Sequence, residues 1–153
     1  MKILDILVPE AIVPEMRATS KDEALDELAS AVVGLRPDID RARLVDVLRD
    51  REELGSTAIG EGIAIPHGKL SGVQDVLAAF GRSPSGIDFD SLDGGPTHLF
   101  FLLVAPEDSA GLHLKALARV SRLLKDADFR QRLLAGTSRD ELYASIKSED
   151  EKY

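Results

Sequence analysis

Apolar positions in the first third of the chain recur with the period of helices. Ser20 followed by Glu23 makes a capping-box signature, and Ala24, Leu25, Leu28, Ala29, Val32 and Val33 then return at helical spacing. This pattern predicts a helix that stops near Gly34, before Pro37. A second helix is expected to open around residues 38–40 and to carry Leu44, Val45, Val47 and Leu48 along one side. Arg51 follows Leu48 by three positions, so it extends the apolar stripe at the end of that helix instead of joining the wet face.

The texture then changes. Between residues 55 and 72, Gly55, Gly60, Gly62, Gly68, Gly72 and Pro66 punctuate the short apolar stretch Ile63, Ala64, Ile65, which predicts a loop, a brief strand and another loop. Residues 73–80 read as a strand, and residues 99–104 as a central strand buried on both faces, because their apolar run does not alternate. Residues 83–96, rich in Gly, Pro, Ser and Asp, are expected to connect these two, with one short strand around 87–89. Helical patterns return at 112–124, at 126–134 and after Thr137 or Ser138, where Glu141 takes the capping-box place. Residues 147–153 are mostly charged and are expected to fray, which divides the chain into a domain at 1–147 and a charged tail at 148–153. Helices, strands and helices in this order fit either an α/β or an α+β layered domain.

Bulk properties narrow the chemistry. A chain of 153 residues holds one ordinary domain, and a content of 44% hydrophobic and 30% charged residues is that of a folded chain. The absence of cysteine excludes disulfides, thiolate ligands and a cysteinyl phosphate. The first residues carry no signal-peptide pattern and the longest apolar run is too short to span a bilayer, so a cytoplasmic protein without membrane insertion is expected. A net charge of −8 argues against nucleic acid. Arg41, Arg43, Arg49 and Arg51 are interleaved with Asp40, Asp46, Asp50, Glu52 and Glu53, which reads as a solvated helix face.

Among three histidines, His67 has the most telling setting, Ile63-Ala64-Ile65-Pro66-His67-Gly68. Pro66 fixes the approach of the chain and Gly68 removes a side chain that would crowd the ring. An imidazole mounted in this way can present one nitrogen while a backbone carbonyl holds the other. The spacing alone fits a reactive histidine and also a loop histidine with a structural bond. His113 shares a helical line with Leu117, Val120 and Leu124, which turns it towards the domain, as a core-edge residue or as a partner for another polar group. Nothing marks His98. Arg51 could meet phosphoryl oxygens in a planar fork, Thr57 or Ser56 could add a hydroxyl, and Gly60 and Gly62 around Glu61 could expose backbone N–H groups. No phosphate-loop, dinucleotide or hydrolase motif is present, and two histidines 46 positions apart carry no metal-site spacing, so neither a metal nor a cofactor is expected.

Residues 51–68, REELGSTAIGEGIAIPHG, resemble the signature of the type-2 IIA domains, the fructose and mannitol class, of the bacterial phosphoenolpyruvate-dependent phosphotransferase system. Residues 112–118, LHLKALA, look like that family's second histidine motif, and the likeness extends over nearly the whole chain. The resemblance implies a three-layer α/β/α domain with a central mixed β-sheet. It further implies that His67 accepts a phosphoryl group on Nε2, that Arg51 neutralises the phosphoryl oxygens, that His113 faces His67, and that Glu61 is an acidic residue near the site. The donor would be a histidine-phosphorylated HPr-like carrier protein, and no cofactor would be needed.

Within that family the length of the chain, without a IIB or IIC segment, and the run from Gly86-Ile87-Asp88-Phe89-Asp90 to Leu99 look more like the nitrogen-related regulatory type. Its partners in the family include potassium transport proteins and sensor kinases. A stand-alone sugar-specific IIA component passing the group to a IIB cysteine is the alternative, and a non-catalytic anion-sensing or scaffold domain is an alternative of another class.

Overall fold

The computed structural model describes all 153 residues. Two 3-10 turns, Ile3–Asp5 and Pro9–Ala11, precede β1 (Ile12–Val13), α1 (Lys21–Leu35), α2 (Arg41–Glu53), β2 (Ala58–Gly60), β3 (Ile63–Ala64), β4 (His67–Leu70), β5 (Leu77–Ile87), β6 (Thr97–Pro106), α3 (Ala110–Leu124), α4 (Ala127–Ala135) and α5 (Arg139–Glu151). The expected caps form: the Ser20 hydroxyl accepts from the Glu23 N–H at 3.2 Å, and the Ser138 hydroxyl from the Glu141 N–H at 3.1 Å. Asp40 caps α2 in the same way, through the Arg43 N–H.

The unbroken apolar run lies in β6, where Leu99 through Ala105 are buried on both faces of the sheet. The strand order is β1-β5-β6-β3-β2, with β4 also on β6. β5 runs antiparallel to β6, whereas β1 on β5, and β3 and β4 on β6, are parallel, so the sheet is mixed. Alternation along the strands assigns the two faces. Glycines at 81 and 68 open towards Met16 and Leu28 and towards Val47, on the side of α1 and α2. Arg82, one position on, donates to the Leu134 carbonyl of α4, and His67 meets His113 of α3. The result is a three-layer α/β/α domain, which decides between the two layered classes that the element order left open.

Several expected boundaries move. β5 begins at Leu77 and continues through residues 83–87, which the Gly, Pro and Ser content had assigned to a connection; its pairing with β6 shifts register between Arg82 and Ile87, so an irregular strand accommodates them. His67 stands in a strand, not in a loop. β3 and β4 lie along β6 in one continuous register, Ile63 opposite Leu99 and His67 opposite Leu103, interrupted at Pro66, which has no N–H to donate. The Pro66 carbonyl still accepts from the Leu103 N–H at 3.0 Å.

The tail expected to fray at 147–153 is instead helical to Glu151. The Asp150 carboxylate is buried and accepts from the N–H groups of Ile3 (3.0 Å) and Leu4 (3.2 Å) and from the Arg119 guanidinium (2.7 Å). The last turn therefore ties the two ends of the chain together, and a charged composition concealed a buried anchor.

Candidate functional site

β4 is held on one side only, by β6, and its free side opens into a cleft of about 560 Å³ between the end of α2 and the start of α3. The backbone of β4 can come close to α2 because residue 68 is glycine: a Cβ there would lie 2.6 Å from the Val47 Cγ1. Arg51 leaves the last turn of α2, where a cation also suits the helix dipole, and reaches the cleft. Its Nη1 donates to the Gly55 carbonyl at 3.0 Å and its Nε to the His67 Nε2 at 3.3 Å.

The second bond settles the tautomer. Because the guanidinium only donates, Nε2 must carry the lone pair, and the proton sits on Nδ1, which is 2.8 Å from the Ile65 carbonyl and donates to it. Partial burial is the chief reason that the His67 pKa is lowered; the Ile65 contact opposes this, the Arg51 charge adds to it and Glu52 opposes it. A neutral imidazole with a directed Nε2 lone pair is the form of histidine that acts as a nucleophile.

His113 comes from the first turn of α3, and its ring meets that of His67 edge-on, with centroids 5.2 Å apart and planes at 69°. Its pKa is also lowered, first by burial and then by His67 and Lys69. Its Nε2 is buried without a partner. A buried polar atom without a bond costs stability, and Thr97 Oγ1 and Glu149 Oε2 share this condition outside the cleft. Exposed Leu54 and Leu114 flank the cleft mouth. No group of three or more His, Cys, Asp or Glu side chains is placed to hold a metal ion.

The cleft unites Arg51, His67 and His113 and leaves two other expected residues outside. Glu61 occupies the turn between β2 and β3 with φ of 58°, its side chain is 76% exposed, and its partner is Arg130 at 3.7 Å. It lies at the level of Ile63 opposite Leu99, whereas His67 is opposite Leu103, four residues or about 13 Å further along β6. Gly60 and Gly62 frame the same distant turn. Thr57 is buried and its hydroxyl donates to Glu52, so it braces the loop after α2 and is not presented to the cleft. The Ser56 hydroxyl is likewise spent, on the Phe89 carbonyl at 2.7 Å.

Sequence reasoning missed Glu52, which had been placed on a solvated helix face. Its carboxylate is buried, accepts from the N–H and hydroxyl of Thr57, and pairs with Lys21 at 3.0 Å. Glu52 thereby secures the loop whose Gly55 carbonyl holds Arg51. Its spacing of four from Leu48 was the available signal, masked by the charges around it.

Fold and site together define an α/β/α domain that offers a neutral imidazole nucleophile beside a guanidinium at the free side of a mixed sheet. Residues 5–149 match the family described as "Phosphoenolpyruvate-dependent sugar phosphotransferase system, EIIA 2", and the chain belongs to it. It is similar to the nitrogen regulatory protein of Bradyrhizobium diazoefficiens, with 46% identity over 146 residues that cover 95% of each chain. It also resembles the fructose-specific EIIABC component of Bacillus subtilis, at 38% identity over 98% of this chain and 24% of that much longer protein. Among solved structures, the nitrogen regulatory protein IIA-Ntr of Neisseria meningitidis superposes with a TM-score of 0.87 at 33% identity, covering 94% of this chain and 98% of the other. The chain is thus a phosphocarrier component of the IIA type, related to the nitrogen-regulatory proteins.

Proposed function

We propose that His67 accepts a phosphoryl group on Nε2 from a histidine-phosphorylated HPr-like protein and that regulatory partners read the resulting charge. The observation that carries this reading is the pinned tautomer: Nδ1–H on the Ile65 carbonyl and the Nε2 lone pair in the cleft, 3.3 Å from the Arg51 Nε. In the transfer the Nε2 lone pair forms the new N–P bond as the donor's N–P bond breaks and returns its electron pair to the donor ring. The His67 Nδ1 proton stays on its carbonyl. No metal or cofactor takes part in this step; the protein's work is alignment and cancellation of charge.

Arg51 moves its Nε donation from the ring to a phosphoryl oxygen, keeping its Nη1 anchor on Gly55. His113, with a free buried Nε2, gains a partner in a second oxygen. The cleft then changes from neutral imidazoles to a group of about two negative charges, a large enough difference for a partner to discriminate. Similarity to nitrogen regulatory proteins supports a regulatory role; the candidate targets, potassium transport proteins and sensor kinases, rest on the family resemblance alone.

The 38% identity to a fructose-specific component favours one second reading, onward transfer to a IIB cysteine. Incubation with labelled phosphoenolpyruvate, the first general enzyme and the HPr-like carrier tests the main reading: acid-labile label is expected on the wild type and none on His67→Ala. Label that survives this substitution defeats it. Rapid loss of label to added IIB domains would select the transport reading.

A further inference from the structure

We infer that Lys69 is a second cation for the phosphoryl group on His67, meeting an oxygen that Arg51 and His113 leave open. The inference rests on His67 being the acceptor and adds a residue to that site. Lys69 follows His67 by two positions on β4, so both side chains leave the same face of the strand, with α-carbons about 6.6 Å apart. Gly68 and Leu70, between and beyond them, turn inward. Lys69 lines the same cleft and is close enough to His113 for its charge to disfavour protonation of that ring. It is exposed, and no carboxylate or carbonyl engages its ammonium; Lys115, Lys125 and Lys147 are equally unpaired, but of these four lysines only Lys69 lines the cleft.

Charge balance gives the lysine its purpose. The charged side chains lining the cleft are Asp50, Arg51 and Lys69, and both histidines there are held towards neutrality. A phosphoryl dianion beside Asp50 and Arg51 alone would leave the cleft with two uncompensated negative charges; Lys69 reduces this to one. The geometry also divides the work. Arg51 arrives from α2 with one nitrogen tied to Gly55, whereas Lys69 reaches the cleft from β4 as a flexible point charge free to adjust to the group.

A cation in contact with the phosphoryl oxygens favours the dianion and lowers its last ionisation, an effect that neither folding nor docking would produce. The decisive experiment is a 31P NMR titration of the phosphorylated chain, prepared with phosphoramidate so that no carrier protein is required, with His67→Ala identifying the resonance. In Lys69→Met the phosphoryl ionisation is expected to rise by about half a pH unit, and in Lys69→Arg to return near the wild-type value. Acceptance from the HPr-like carrier should fall about fivefold in Lys69→Met at low salt, with the deficit shrinking as salt is added. An unchanged phosphoryl ionisation in Lys69→Met overturns the inference even if transfer slows, because slow transfer alone would assign Lys69 to docking. Failure of the wild type to form phosphohistidine at His67 from either source would instead sink the underlying reading, and the inference with it.

Discussion

The anchor around Asp150 and the cleft around His67 are both polar clusters set into apolar surroundings, and they treat their polar atoms in opposite ways. Asp150 has both carboxylate oxygens bonded, to two backbone N–H groups and to Arg119, and the Lys2 ammonium donates to its carbonyl at 2.8 Å. In the cleft the His113 Nε2 has no partner, the Lys69 ammonium is free, and the Arg51 Nε bond to His67 is long at 3.3 Å. A saturated cluster holds the ends of the chain together. An unsaturated one leaves bonding capacity unspent, which the proposed phosphoryl acceptance would use.

Substitutions at the two clusters should separate these roles. The largest effect is expected from His67→Ala, which should abolish phosphoryl acceptance while shifting the melting temperature by no more than a few degrees; a collapse of the fold would show that the imidazole is structural. Arg51→Ala should retain acceptance but slow it by about 10²–10³-fold, as loss of a charge-stabilising donor does, measured by single-turnover transfer. Asp150→Ala should behave conversely. It should cost about 3 kcal/mol in denaturant unfolding, about 9 °C in melting temperature for a domain of this size, and leave transfer by the folded fraction unchanged.

The smallest effects are expected in pH dependence, and the two clusters differ in it as well. Burial would raise the Asp150 pKa, but the Ile3 N–H and the Arg119 guanidinium outweigh burial and hold it below the usual carboxylate value. Its stabilisation is therefore complete above the unfolded value near pH 3.9 and is lost as pH falls through the folded one, so Asp150→Asn should flatten the acid limb of the stability curve. The His67 pKa is lowered mainly by burial, so acceptance should stay level through pH 6.5 and fall only as pH drops through the lowered value. A rate already halved at pH 6.5 would show that burial does not govern this ring. Because Glu52 opposes the lowering, Glu52→Gln should move the fall slightly further towards acid.

The ease with which each part could be read from the chain follows from how local its cause is. α1, α2 and the core of β6 were legible because capping pairs and apolar periodicity act within a few residues. β4 was not, because glycine and lysine have no strand preference and the segment is ordered by pairing with β6, more than thirty positions away. Glu52 and Asp150 were hidden for a related reason. Charge in a sequence signals exposure, and only distant partners, Lys21 and Thr57 for one and Ile3, Leu4 and Arg119 for the other, make burial possible.

The sequence by itself determined the main helices, the central strand, and Arg51, His67 and His113 as the candidate residues of the site; the choice between the two layered classes fell to the sheet topology. Tertiary structure decided what those residues can do. It chose the His67 tautomer through the Ile65 carbonyl, brought Arg51 around the free side of β4, and left the His113 Nε2 without a bond. It also moved Glu61 to another depression of the surface and turned the Thr57 hydroxyl to Glu52. The physical reason is that helix and strand periodicities are local and additive along the chain. A tautomer, an unpaired nitrogen and a cleft depend on which distant atoms share one small volume.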